Sequence, residues 1–65
     1  MSIRVNGQHA DPPQPRTLAA LIATLAPRAP FATAVNGDFV SKVAYTEYQL
    51  KDGDLIEIVY PSAGG

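Results

Sequence analysis

Ile3 and Val5 alternate with Ser2, Arg4 and Asn6, the period of two that marks a strand with one covered face. Asn6-Gly7 follows at once and supplies the positive-φ pair of a two-residue hairpin turn, so Gln8 to Ala10 is the expected return strand. Asp11-Pro12-Pro13-Gln14-Pro15 cannot hold a ladder, because proline has no amide hydrogen to donate, and it reads as a loop. The period then changes. Leu18, Leu21, Ile22 and Leu25 fall at i, i+3, i+4 and i+7, one apolar stripe of a helix, with Thr17 as N-cap and Ala19, Ala20, Ala23 and Ala26 as strong helix formers around it. The whole stripe is expected in the core. Pro27 and Pro30 end the helix, since the pyrrolidine ring clashes with the preceding turn.

Phe31 to Val35 reads as the next strand, Asn36-Gly37 as a second hairpin turn, and Asp38 to Ser41 as its return. Val43 to Leu50 is irregular; Tyr45, Tyr48 and Leu50 suit a short helical turn crossing the sheet edge. Lys51-Asp52-Gly53-Asp54 is a turn, and Leu55 to Tyr60 the last strand. Its alternation puts Ile56, Ile58 and Tyr60 on one face and Leu55, Glu57 and Val59 on the other. Two hairpins flanking one helix, closed by a strand apolar on both faces, predict an α+β fold of the β-grasp type. A mixed five-stranded sheet packs on one main helix, and the last strand lies centrally, parallel to the first. Leu55, Glu57 and Val59 then occupy the open face, where a large enough neighbouring patch docks a partner.

Composition narrows what such a fold can do. At 65 residues there is one domain and little room for an internal active site. We expect residues 1–61 to form the domain and residues 62–65 a flexible tail. With 46% hydrophobic and 17% charged residues the chain fits a soluble globule. The apolar runs are too short to cross a bilayer and the start has no signal-peptide layout, so the expected location is the cytoplasm. A net charge of −1, with basic residues scattered, gives no electrostatic footprint for nucleic acid or an anionic membrane. Cysteine is absent, which excludes disulfides, thiolate metal sites and a thiol nucleophile. His9 stands alone and reads as a solvated strand residue, and Asp52-Gly53-Asp54 lacks the ligand series of a calcium loop. No metal site is expected.

The chain finishes on Gly64-Gly65. At an ordinary glycine frequency of about 7% per position, a terminal pair arises by chance in roughly one chain in two hundred. A frayed tail or a cloning remnant is the bland explanation. The functional one is that a terminus without Cβ atoms threads into a narrow pocket and presents an unhindered carboxylate.

Ala34-Val35-Asn36-Gly37-Asp38-Phe39-Val40, Leu50-Lys51-Asp52-Gly53-Asp54 running into Leu55-Ile56-Glu57-Ile58-Val59, and Gly64-Gly65 together resemble the ThiS family of sulfur carriers in thiamine biosynthesis. The related MoaD family shares the KDGD-type turn and the Gly-Gly end but is usually longer and lacks the compact AVNG hairpin. The proline-rich segment from Asp11 to Arg16 departs from a typical member.

The resemblance implies a ubiquitin-like carrier and co-substrate, not an enzyme. Its Gly65 carboxylate would be adenylated by a ThiF-like, E1-type enzyme and converted to a thiocarboxylate. A persulfide donor such as a cysteine desulfurase would supply the sulfur, and thiazole synthase would receive it. Gly64 and Ala63 would thread into the partner's site. An α-carboxyl of ordinary pKa, about 3.3 to 3.7, is ionised at neutral pH and attacks the α-phosphate of ATP, gaining the leaving group it lacks. ATP and magnesium would be held by the activating partner, because this chain carries no phosphate-binding fingerprint. A MoaD-like carrier for molybdopterin or another sulfur pathway, a modifier that transfers its terminus to lysine amines, and a noncovalent β-grasp interaction module are the alternatives.

Overall fold

In the computed structural model, residues 1–61 are described. Strand β1 (Ile3–Val5) turns through Asn6-Gly7, at φ 49° and 83°, into β2 (Gln8–Ala10). Helix α1 (Leu18–Leu25) follows the proline-rich loop, and β3 (Ala32–Val35) turns through Asn36-Gly37, at φ 53° and 88°, into β4 (Asp38–Val40). A short 3-10 turn (Lys42–Ala44) and an irregular stretch lead to β5 (Leu55–Val59).

The strands form one sheet in the order β2-β1-β5-β3-β4. Strand β5 is central, parallel to β1 and antiparallel to β3. The mixed five-stranded sheet with one helix is the β-grasp arrangement that the two hairpins and the apolar last strand predict. The core gathers Ile3, Leu18, Leu21, Val35, Leu50, Ile56 and Ile58, with Val5, Ile22, Phe31, Val40, Tyr45 and Tyr48 packed around it. Burial along β5 alternates strictly, with Ile56 and Ile58 inside and Leu55, Glu57 and Val59 outside.

Helix α1 is secured mainly at its start. The first amides of a helix have no partner within it, and here those of Leu18, Ala19 and Ala20 find partners before the regular ladder begins at Leu21. Leu18 donates to the Tyr48 carbonyl at 2.9 Å and Ala19 to the Tyr45 carbonyl at 3.0 Å. Ala20 donates to Thr17 Oγ1 at 3.1 Å, the expected cap, and Leu21 to the Thr17 carbonyl at 3.1 Å. The irregular stretch after the 3-10 turn is thus the seat of the helix N-terminus. Its Tyr45 hydroxyl also reaches back to the sheet, donating to Thr33 Oγ1 at 3.0 Å.

The structure corrects several sequence expectations. Leu25 is 40% exposed rather than core. The helix closes there, with Ala26 in the left-handed region at φ 48° and its amide bonded to the Ile22 carbonyl, so the stripe leaves the core in its last turn. Phe31 lies just outside β3 and Ser41 just outside β4. Tyr60 does not continue the inner face of β5. The β3 ladder ends at the Ala32–Val59 pair, two residues after Pro30, and Tyr60 stands half-exposed beyond the last rung.

Candidate functional site

The sheet face opposite the helix is built by register. Residues directly opposed on paired strands point the same way, so Arg4, paired with both His9 and Leu55, defines one row. Ala34, paired with Glu57 and Phe39, defines the next, and Ala32 with Val59 a third. The expected docking residues Leu55, Glu57 and Val59 therefore run down the middle of this face on the central strand. Leu55 is 50% exposed, Val59 46% and Phe39 75%. His9 is exposed at the outer end of its row, as expected of a solvated strand residue.

Phe39 belongs to this surface as well, beyond the residues that the sequence of β5 places there. The signal was present in the strand period, because Val40 turns inward and its neighbour must turn out. What the period cannot give is the strand order that sets Phe39 in the same row as Glu57. Two hollows shape the face. One, about 260 Å³, lies between the two hairpin turns and is lined by Arg4, Gly7, Gly37, Leu55, Ile56 and Glu57. The other, about 320 Å³, is lined chiefly by Phe31, Ala32, Phe39, Val59, Tyr60 and Pro61, at the root of the C-terminal segment. Its lining is almost entirely apolar. A larger hollow, about 400 Å³, sits away from this face around Asn36, Glu47, Tyr48 and Asp54. The polar groups of Asn36 and Asp54 there are engaged with the chain itself, so that hollow belongs to the turn.

The Lys51-Asp52-Gly53-Asp54 turn is more than a reversal. Gly53, at φ 86°, donates to the Ser2 carbonyl at 2.8 Å, and Asp52 Oδ1 accepts from the Ser2 amide at 2.8 Å. Asp54 is buried. Its Oδ2 accepts from the Lys51 amide at 2.8 Å, its Oδ1 from Asn36 Nδ2 at 3.0 Å, and its carbonyl from the Arg4 amide at 3.0 Å. These bonds fix the start of β5 between β1 and the second hairpin. The strand that carries Leu55, Glu57 and Val59 is anchored before it begins.

The expected reactive residue Gly65, and Gly64 and Ala63 before it, lie outside the described residues, as does the expected tail 62–65. Among the described residues no group of His, Asp or Glu side chains is placed to hold a metal ion, and no helix is long and apolar enough to cross a membrane. The described part of the site is thus an open face on which Leu55, Val59 and Phe39 surround the central Glu57, with Arg4 and His9 in its first row.

No curated protein sequence matches this one. Among solved structures, the chain is similar to the crystal structure of a thiamine biosynthesis protein (ThiS) from Geobacter metallireducens, with a TM-score of 0.81 and 25% identity over 100% of both chains. The model of the ThiS family matches residues 2–65. Together these matches support a sulfur-carrier role in thiamine biosynthesis. With the β-grasp sheet, the anchored central strand and a family match reaching the last glycine, the chain belongs to the ThiS family.

Proposed function

We propose that this chain is a cytoplasmic sulfur carrier and co-substrate whose Gly65 carboxylate is the reactive group. The observation that carries the reading is the family match running through residue 65, at the end of the segment that leaves central strand β5. A carboxylate oxygen of Gly65 attacks the α-phosphorus of ATP and pyrophosphate leaves, giving an acyl-adenylate. A persulfide then attacks the carbonyl carbon and expels AMP. A thiol cleaves the resulting sulfur–sulfur bond, forming a disulfide and leaving a thiocarboxylate on Gly65. An E1-type, ThiF-like enzyme supplies the ATP and magnesium site, a cysteine desulfurase or similar donor supplies the persulfide, and thiazole synthase takes the sulfur. This chain supplies the acyl group and the surface that brings it into place.

Docking energy comes from the folded body. Holding any four-residue segment in one conformation in a partner's site costs on the order of 4 to 8 kcal/mol of backbone entropy. At about 25 cal/mol per Å², burying roughly 160 to 320 Å² of apolar surface offsets it. Phe39, Leu55, Val59 and Tyr60, already exposed together on and beside the open face, supply area of that order. Gly64 and Ala63 keep the approach slender, so that the acyl carbon enters a pocket the body cannot.

The test is reconstitution with an E1-type adenylating partner, ATP and magnesium. The intact chain should release pyrophosphate and accumulate an acyl-adenylate, whereas a chain lacking Gly65, or extended by one residue, should do neither. Equal activity of all three chains would defeat the proposal.

A further inference from the structure

Strand β5 outruns the backbone available on both of its flanks. On one side, Asn6 leaves the β1 ladder for the turn at φ 49°, and the Ile58 amide, next in line on β5, donates instead to Asn6 Oδ1 at 2.9 Å. On the other side, Asn36 leaves β3 at φ 53°, and the Leu55 amide donates to Asn36 Oδ1 at 3.0 Å. Each asparagine still gives its own amide to the ladder, Asn6 to the Ile56 carbonyl at 2.9 Å and Asn36 to the Leu55 carbonyl at 2.8 Å. In both hairpins, therefore, a side-chain carbonyl replaces the backbone carbonyl that the turn has rotated away. The positive φ alone is met by glycine. The carboxamide at both positions has a second task.

We propose that Asn6 and Asn36 are positioning residues of the carrier, holding β5 from opposite flanks so that Leu55 is fixed in the docking row and Ile58 fixes the direction in which the terminus leaves. The inference rests on the sulfur-carrier reading. The two clamps differ in chemistry. Asn6 uses only its carbonyl oxygen toward β5, so a carboxylate can replace it. Asn36 also donates Nδ2 to the buried Asp54 carboxylate, so only an amide fits. Asparagine is the one side chain that takes the left-handed turn readily, accepts from Leu55 and donates to Asp54.

Substitution separates turn from clamp. Asn6→Gly and Asn36→Gly keep the turn and remove the carboxamide; Asn6→Asp keeps the acceptor. Amide hydrogen exchange, read residue by residue, should accelerate about tenfold at Ile58 in Asn6→Gly and at Leu55 in Asn36→Gly. It should stay at the wild-type rate at Ile58 in Asn6→Asp. Asn36→Asp, which sets two carboxylates together, should be more disturbed than Asn36→Gly. In the adenylation assay, Asn6→Gly should lower kcat with little change in KM, because the docking row is intact while the terminus is misdirected. Asn36→Gly should raise KM, and Asn6→Asp should restore wild-type kcat. Unchanged exchange at Ile58 and Leu55, or wild-type kcat and KM in both glycine variants, overturns the inference. Should the wild-type chain itself not be adenylated, the carrier reading falls, and the exchange rates still decide whether the clamps exist.

Discussion

Asn36 Nδ2 donates to Asp54 Oδ1 at 3.0 Å, joining the tip of the second hairpin to the turn that launches β5. The two residues are 18 apart in sequence and belong to motifs that each look like ordinary turn chemistry. Together they hold the entry of the central strand, because Asp54 also accepts the Lys51 amide and Asn36 also accepts the Leu55 amide.

Asp54→Ala removes the acceptor for both the Asn36 side chain and the Lys51 amide. Hydrogen bonds to a charged group contribute about 1.5 to 3 kcal/mol each, and the carboxylate's own burial cost is recovered on deletion. A net loss of about 2 kcal/mol is expected in urea unfolding. For a domain of this size that corresponds to a fall in Tm of roughly 8 to 16 °C. Wild-type stability in Asp54→Ala would mean that the buried carboxylate is not structural.

Thr33 is 1% exposed, and its hydroxyl accepts from the Tyr45 hydroxyl. Tyr45→Phe should cost about 1 to 2 kcal/mol, the penalty of a buried polar group left without its partner. Combining it with Thr33→Val should recover much of that loss, because both halves of the bond are then gone. Strict additivity of the two changes would show that the hydroxyls do not interact.

Thr17→Ala removes the side-chain acceptor of the Ala20 amide and should destabilise the protein by about 1 kcal/mol. Thr17→Ser, which keeps the hydroxyl, should stay within about 0.5 kcal/mol of wild type in the same thermal melts. Loss of equal size in both variants would assign the effect to the methyl group rather than to the cap.

Phe39→Ser lies on the open face and touches the core little, so stability should change by no more than about 0.5 kcal/mol. Affinity for the proposed adenylating partner should fall by about 1 to 2 kcal/mol, roughly 5- to 30-fold, as an apolar anchor is lost. Leu55→Ser and Val59→Ser should act in the same direction. Titration calorimetry with the partner measures this, and unaltered affinity in all three variants would place the docking surface elsewhere.

Much of the fold is legible in the sequence because its punctuation is local. Asn6-Gly7 and Asn36-Gly37 announce their turns, Thr17 and the stripe from Leu18 announce the helix, and the apolar run from Leu55 to Val59 announces a central strand. What escaped is set by neighbours distant along the chain. Tyr60 keeps the apolar character of the strand but loses its partner strand, and Leu25 keeps the helical spacing but reaches the end of the core. Val43 to Leu50 has no period because its carbonyls at Tyr45 and Tyr48 serve the helix N-terminus rather than a ladder of their own. Of the candidate site, Leu55, Glu57 and Val59 follow from alternation within one strand. Phe39 joins them only through the order of the strands, and the second roles of Asn6, Asn36 and Asp54 only through contacts across the sheet.

The most direct measurement is the intact mass of the protein isolated from cells that make their own thiamine, followed by fragmentation of its C-terminal peptide. A mass increase equal to replacement of one oxygen by sulfur, located on Gly65 and absent when Gly65 is deleted, is the predicted result. An unmodified terminus under conditions of active thiamine synthesis, or Gly65 joined to lysine amines of other proteins, would contradict the sulfur-carrier role.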